Sequence, residues 1–225
     1  MRTQPPQSAG VRGVVGTVLE AYRKGSSQPP SDQRAASGQA FDDVLVAATM
    51  RRLSLTDQVL MRKCSAARDR GLAAARRGRL QIADQACAEA RTVAASGALS
   101  AEAKLLTNAL HSPIEAYVDY RRGEHERACA HLNEAAEADV LLETVHGYKI
   151  LHLHRIQLVH NLMRLRVRYD GLEAALAVGA TLLSYLERTR ESLPLPGSWD
   201  PAQLDHIPPA LVSSSFGISR VMAGL

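Results

Sequence analysis

One recurrence restricts this chain more than any other feature. From Gly78 it reads GRLQIADQACAEARTV, from Gly123 GEHERACAHLNEAAEA, and from Arg168 RYDGLEAALAVGATLL. Each stretch gives a turn, a bulky or ring residue (Leu80, His125, Tyr169) and then small residues at regular helical intervals. The first two align with Ala83 against Ala128 and Ala90 against Ala135. In the third, Leu172 stands at the first small position and Gly179 at the second. Self-similarity at a fixed spacing is the mark of a repeat architecture, so it governs how every other segment is read.

Composition agrees. Alanine and leucine abound while Phe, Trp and Tyr together make up 4% of 225 residues, a balance that suits close helix packing and disfavours sheets. The expected class is all-α, in one extended domain. Three parts follow: residues 1–38 as a leader, a short helix and a linker; residues 39–192 as the helical repeat domain; residues 193–225 as a C-terminal loop and capping helix. Met1–Gly10 is rich in Gln, Pro and Ser, Val11–Lys24 reads as a helix weakened by Gly13 and Gly16, and Gly25–Gly38 contains SSQPPSD.

Within the repeat domain the apolar spacing predicts helices one by one. Phe41, Leu45 and Ala48 share a face of a helix over Gln39–Arg52. Ser54 with Asp57 signals a second start, and Leu60, Cys64, Ala67, Gly71 and Ala74 carry that helix to Arg77. Ile82, Ala83, Ala86, Cys87, Ala90 and Val93 mark its partner. Ser100 can cap a short helix over Ala101–Leu110, and Ser112-Pro113-Ile114-Glu115 reads as a capping box that starts a new helix at Pro113. A longer helix is expected over Val140–Arg168, weakened at Gly147, and its mate over Gly171–Arg190. LPLPGSWDP then breaks the pattern. Asp200 and Pro201 suggest a cap and first turn, Trp199 could pin that turn to the body, and the apolar segment after Pro208-Pro209 would cover the end of the stack.

The units Cys64–Gly97, Ala109–Val140 and Leu153–Leu186 resemble tetratricopeptide repeats in the turn, ring residue and alanine pair of the second helix. They depart from that family in three ways: Ala67 stands where a large residue belongs, the terminal proline is missing, and Gly78 and Gly123 lie 45 residues apart where the family repeats at about 34. The resemblance implies an antiparallel helix-pair solenoid of about 8–10 helices. It also implies that the first helix of each pair lines a concave groove. The groove positions are Arg68 and Arg76 in the first unit, Tyr117, Tyr120 and Arg121 in the second, and His154, Gln157, Asn161 and Arg164 in the third. Arginine forks suit carboxylates, and amides suit peptide backbone. The implied function is a non-catalytic adaptor, chaperone or regulatory subunit. Its expected partner is another protein, held through an acidic or C-terminal segment; the reading leaves a homodimer open.

Other classes are less well supplied. Nine basic residues crowd into Arg51–Arg79, yet the net charge is only +4 and aromatic residues for base stacking are scarce there, so nucleic acid is disfavoured as the partner. Glu143 and His146 make a single E-x-x-H pair where a di-iron bundle needs two. A helical metalloenzyme, or an accessory subunit of an enzyme, is thus a rival reading. No phosphate loop, dinucleotide fingerprint, nucleophile elbow or H-E-x-x-H motif occurs, and no catalytic residue, cofactor or metal is expected. Cys64, Cys87 and Cys129 are an odd number without a C-x-x-C pair, which points to a reducing, cytoplasmic setting. There Cys87 and Cys129 would act as small apolar packers. No apolar run approaches a membrane span.

Overall fold

The computed structural model describes residues 44–207, and every regular element among them is helical. Residues 44–50 form a helical segment. Six longer ones follow: α1 (Leu55–Arg76), α2 (Leu80–Ala95), α3 (Ala101–Arg122), α4 (His125–His146), α5 (Leu151–Tyr169) and α6 (Leu172–Leu186). A 3-10 helix (Pro201–His206) closes the described chain. None of the helices is long and apolar enough to cross a membrane. The expectations for residues 1–38 and for the segment after Pro208-Pro209 lie outside the described residues.

Capping fixes where the first helices begin. Ser54 Oγ accepts from the Asp57 N–H at 3.1 Å, as its position before the apolar run suggests. The Asp57 carboxylate accepts in turn from Ser54 Oγ (2.9 Å) and from the Ser100 N–H (2.9 Å), while Ser100 Oγ accepts from the Ala103 N–H. One carboxylate therefore joins the starts of α1 and α3. The Ser100 N–H holds its pKa below the ordinary aspartate value.

Successive helices are antiparallel. Cys64 and Gly71 of α1 meet Ala90 and Ala86 of α2 in reverse order; Glu102 and Asp119 of α3 meet His146 and Arg127 of α4. Tyr185 and Gly179 of α6 meet His152 and Met163 of α5. The approach is close because the residues at the seam are small. Ala83, Ala90, Ala128 and Ala135, the four alanines paired by the sequence alignment, are all 0% exposed.

Three expectations need correction. No helix begins at Pro113: α3 runs unbroken through it for 22 residues. Proline inside a helix costs roughly 3 kcal/mol, which the buried face of Ala103, Leu106, Ala109 and Ala116 offsets by packing. Glu115 pairs with Arg91 and closes no capping box. The long repeat spacing therefore comes from 22-residue helices in α3 and α4, with no extra helix inserted. Gly147 does more than weaken a long helix: at φ +70° it ends α4, and α5 restarts at Leu151. The left-handed conformation needed there is one that glycine adopts without a Cβ clash. The third unit, finally, is in a different register. Its buried small residue is Ala175, and Leu172 at the helix start is 65% exposed. Both turns hold two residues, Gly123-Glu124 and Asp170-Gly171, so Tyr169, the last residue of α5, stands where Arg122 stands in α3, and counting from it as the equivalent of His125 misplaces every later position.

The chain after α6 folds back as a strap. Trp199 packs edge-on to Tyr185 (5.7 Å, 83°), and its Nε1–H donates to Leu195 O at 2.9 Å. Leu193, Leu195 and Ile207 are buried beside it. Asp200 accepts from the Ala202 N–H and Pro201 opens the 3-10 helix, the cap and first turn expected there.

Candidate partner-binding surface

The C-terminal ends of α1, α3 and α5 meet. Arg121 Nη1 donates to the Arg76 carbonyl at 3.1 Å and to Tyr117 Oη at 3.3 Å. Forty-nine residues on, the Tyr169 hydroxyl donates to the Tyr120 carbonyl at 3.0 Å. Both bonds satisfy carbonyls in a last helical turn, where intrahelical partners run out and a cation is favoured. Tyr117 stacks on Tyr120 (6.0 Å, 27°), Tyr120 meets Tyr169 edge-on (6.3 Å, 89°), and His125 stacks on Tyr169 (4.6 Å, 21°). The Arg168 guanidinium lies 4.8 Å from the centre of the Tyr120 ring and 5.6 Å from that of Tyr169. The outcome is a continuous ladder of rings and arginines across three helices.

Four of the nine groove positions, Arg76, Tyr117, Tyr120 and Arg121, come together in this ladder. The third unit contributes a stripe. Gln157, Asn161 and Arg164 are half-buried at positions that share a face of α5 with Arg168, and Arg168 is the residue that reaches Tyr120. His154 is elsewhere: it is buried, with Nδ1 2.8 Å from Asp139 Oδ2 inside the α4/α5 seam. Arg68 lies apart from the ladder too, beside Asp69 at 3.2 Å, and lines a cleft with Met50, Cys64, Thr107 and His111. Arg168, Tyr169 and His125 are the residues that the sequence did not single out for a surface. Tyr169 and His125 stood in the alignment as equivalents of each other, and in space they are stacking partners.

No family model, curated protein or solved structure matches this chain. What the surface can do therefore rests on its own chemistry. Exposed Arg76, Arg77 and Arg79 make no ion pair among the described residues; they lie in the turn from α1 to α2, where the Arg76 carbonyl accepts from Arg121. Arg122, by contrast, is held by Asp84, which raises its pKa further. Arg168 makes no ion pair among the described residues either and lies over the Tyr120 ring, and such free guanidinium forks favour carboxylates and extended polar segments.

Two other polar clusters are internal. Arg155 is 1% exposed. It grips Glu143 with Nε and Nη2 (both 2.7 Å), donates to Ser198 O at 3.1 Å and lies 4.3 Å over the Trp199 ring. The E-x-x-H pair is thereby taken apart, since Glu143 serves Arg155 while His146 turns towards Glu102 at 3.7 Å. Cys87, His111 and Glu115 form a group of donors that could hold a metal ion.

Proposed function

We propose that this chain is a protein-interaction module of tetratricopeptide-like helical hairpins, which holds an acidic segment of a partner protein, ending in a free carboxylate, along α1, α3 and α5. The observation that carries the reading is the ladder Arg76, Arg121, Tyr117, Tyr120, Arg168, Tyr169, which spans three first helices. Antiparallel hairpins with buried alanines at matching positions support the solenoid part of the proposal. Three free cysteines, two of them buried, suit a reducing cytoplasmic setting.

Arg164 and Arg168 provide the test because neither makes an ion pair that holds the fold. Fluorescence anisotropy with an acidic peptide bearing a free C-terminus is expected to show saturable binding. Reversal of both charges (Arg164→Glu with Arg168→Glu) weakens it by about tenfold or more, the loss expected for two charge-assisted contacts. Capture unchanged by the double reversal contradicts the proposal. So does tighter binding to a short oligonucleotide with a steep salt dependence, which would mark a phosphate-tracking surface instead.

A further inference from the structure

We propose that Cys87, His111 and Glu115 form a site for one zinc-class divalent cation, with His131 placed to supply a fourth ligand. The three donor atoms, a thiol sulfur from α2 and an imidazole nitrogen and a carboxylate oxygen from α3, lie within 4.8 Å of one another, and all three residues are buried. His111 and Glu115 are four residues apart and so project from one face of α3. His131 of α4 faces the same carboxylate across the hairpin, with Nδ1 3.9 Å from Glu115 Oε2 and 3.0 Å from the exposed Glu134 carboxylate, which must let go for this nitrogen to bind.

His111 makes this more than a cluster of polar groups. Its side chain is 8% exposed, and neither ring nitrogen makes a well-formed hydrogen bond; a contact with the Cys87 backbone works against burial without meeting that geometry. A buried polar group left unpaired costs about 1–3 kcal/mol, so an unpaired ring aimed at a carboxylate and a thiol needs an explanation. The spacings supply one. His111 Nε2 stands 3.7 Å from Glu115 Oε1, and His131 Nδ1 stands 3.9 Å from Glu115 Oε2. Such distances exceed a good hydrogen bond. They lie close to the separation of roughly 3.4 Å between two donors that each sit about 2.1 Å from one tetrahedral ion.

The simpler alternative is an ion pair between Glu115 and Arg91. That pair accounts for Glu115 and leaves His111 unexplained. The Arg91 side chain is also 58% exposed, so it can withdraw into water when a cation arrives. Burial, with Arg91 and Arg68 adding to it, pushes the His111 pKa down to about 4, which keeps the ring neutral and one nitrogen lone pair available at neutral pH. Burial likewise raises the Cys87 thiol. On binding, that thiol gives up its proton to solvent, sulfur and the neutral imidazole each donate a pair, and Arg91 releases the carboxylate. A mixed S, N, O set selects zinc-like ions over calcium or magnesium, which take oxygen alone.

The inference is independent of peptide capture. Metal-free full-length protein titrated with Co2+ alone is expected to take up one equivalent, with a thiolate charge-transfer band and tetrahedral d–d absorption, both lost on adding Zn2+. Cys87→Ser removes the charge-transfer band at unchanged helicity, and His111→Gln weakens binding at least tenfold. Cys129→Ser leaves both bands in place. Arg91→Ala tightens binding by roughly two- to fivefold, the release of a partly exposed ion pair. Absence of uptake, a spectrum without the thiolate band, or loss of that band in Cys129→Ser overturns the site. If the two core variants unfold, the wild-type and Cys129→Ser spectra and the Arg91→Ala affinity decide it, and an affinity unchanged by Arg91→Ala counts against the proposal.

Discussion

Arg155 shows how much a single residue can organise. Its guanidinium is removed from water and answered on every side, by Glu143, by the Ser198 carbonyl and by the Trp199 face. Taking away one partner of such a pair strands the other charge in the interior, which costs about 3–5 kcal/mol. Arg155→Ala is expected to lower stability by that amount in urea denaturation and to expose Trp199 to solvent, read as a red shift of its fluorescence; an unshifted spectrum would contradict the strap. Gly197 is tied to the same feature. At φ +109° it sits where an added Cβ would overlap Val140 and come 2.7 Å from Arg155 Nη1. The histidines give a pH signature. Burial drives His160, and burial with nearby arginines drives His111, down to about 4 from an ordinary 6.5. Between those values the unfolded chain takes up protons that the folded chain refuses. Stability is therefore complete above pH 6.5 and declines as pH falls towards 4, by roughly 1.4 kcal/mol per pH unit for each histidine. His160→Asn should flatten that slope, and an equally steep profile in the variant would contradict the assignment. Little of this was legible from sequence: Arg155 reads as one arginine among many, and Glu143 reads as half of an E-x-x-H pair, because burial and the partner forty-three residues away are tertiary facts.

At the scale of elements, the hairpin α1/α2 is the unit that the sequence described best. Its Ala83 and Ala90 are buried, as are Ala128 and Ala135 at the α3/α4 seam, and Ser54, Ser100 and Asp200 each cap an element as their positions suggest. Ala128→Leu is expected to cost about 1–3 kcal/mol by overpacking that seam. Ala130→Leu, on the exposed side of the same helix, should stay within about 0.5 kcal/mol. Equal melting temperatures for the two variants would contradict the packing. Ser100→Ala should cost about 1 kcal/mol, since it removes a cap from α3 beside the Asp57 link to α1. Pro113 misled because its local chemistry fits a first helical turn perfectly well, and only the packing of both halves of α3 against α4 overrides it. The register of the third unit was lost because Tyr169 reads as the ring residue that opens a helix whereas it ends α5, and periodicity in α6 could not reveal that without a fixed helix start.

For the whole molecule, the recurrence predicted the class and the antiparallel pairing, since small residues at matching positions need a close neighbour. It did not reveal which ends of the helices would converge. The ladder depends on side chains from turns 45 and 49 residues apart reaching the preceding helix's last carbonyls. The most direct test of the account is nuclear magnetic resonance of the full chain titrated with an acidic peptide bearing a free carboxylate. Shift changes are expected to concentrate on the arginine side chains and tyrosine rings of Arg76, Tyr117, Tyr120, Arg121, Arg168 and Tyr169. Changes centred instead on the cleft around Met50 and Arg68, or none at saturating peptide, would contradict it.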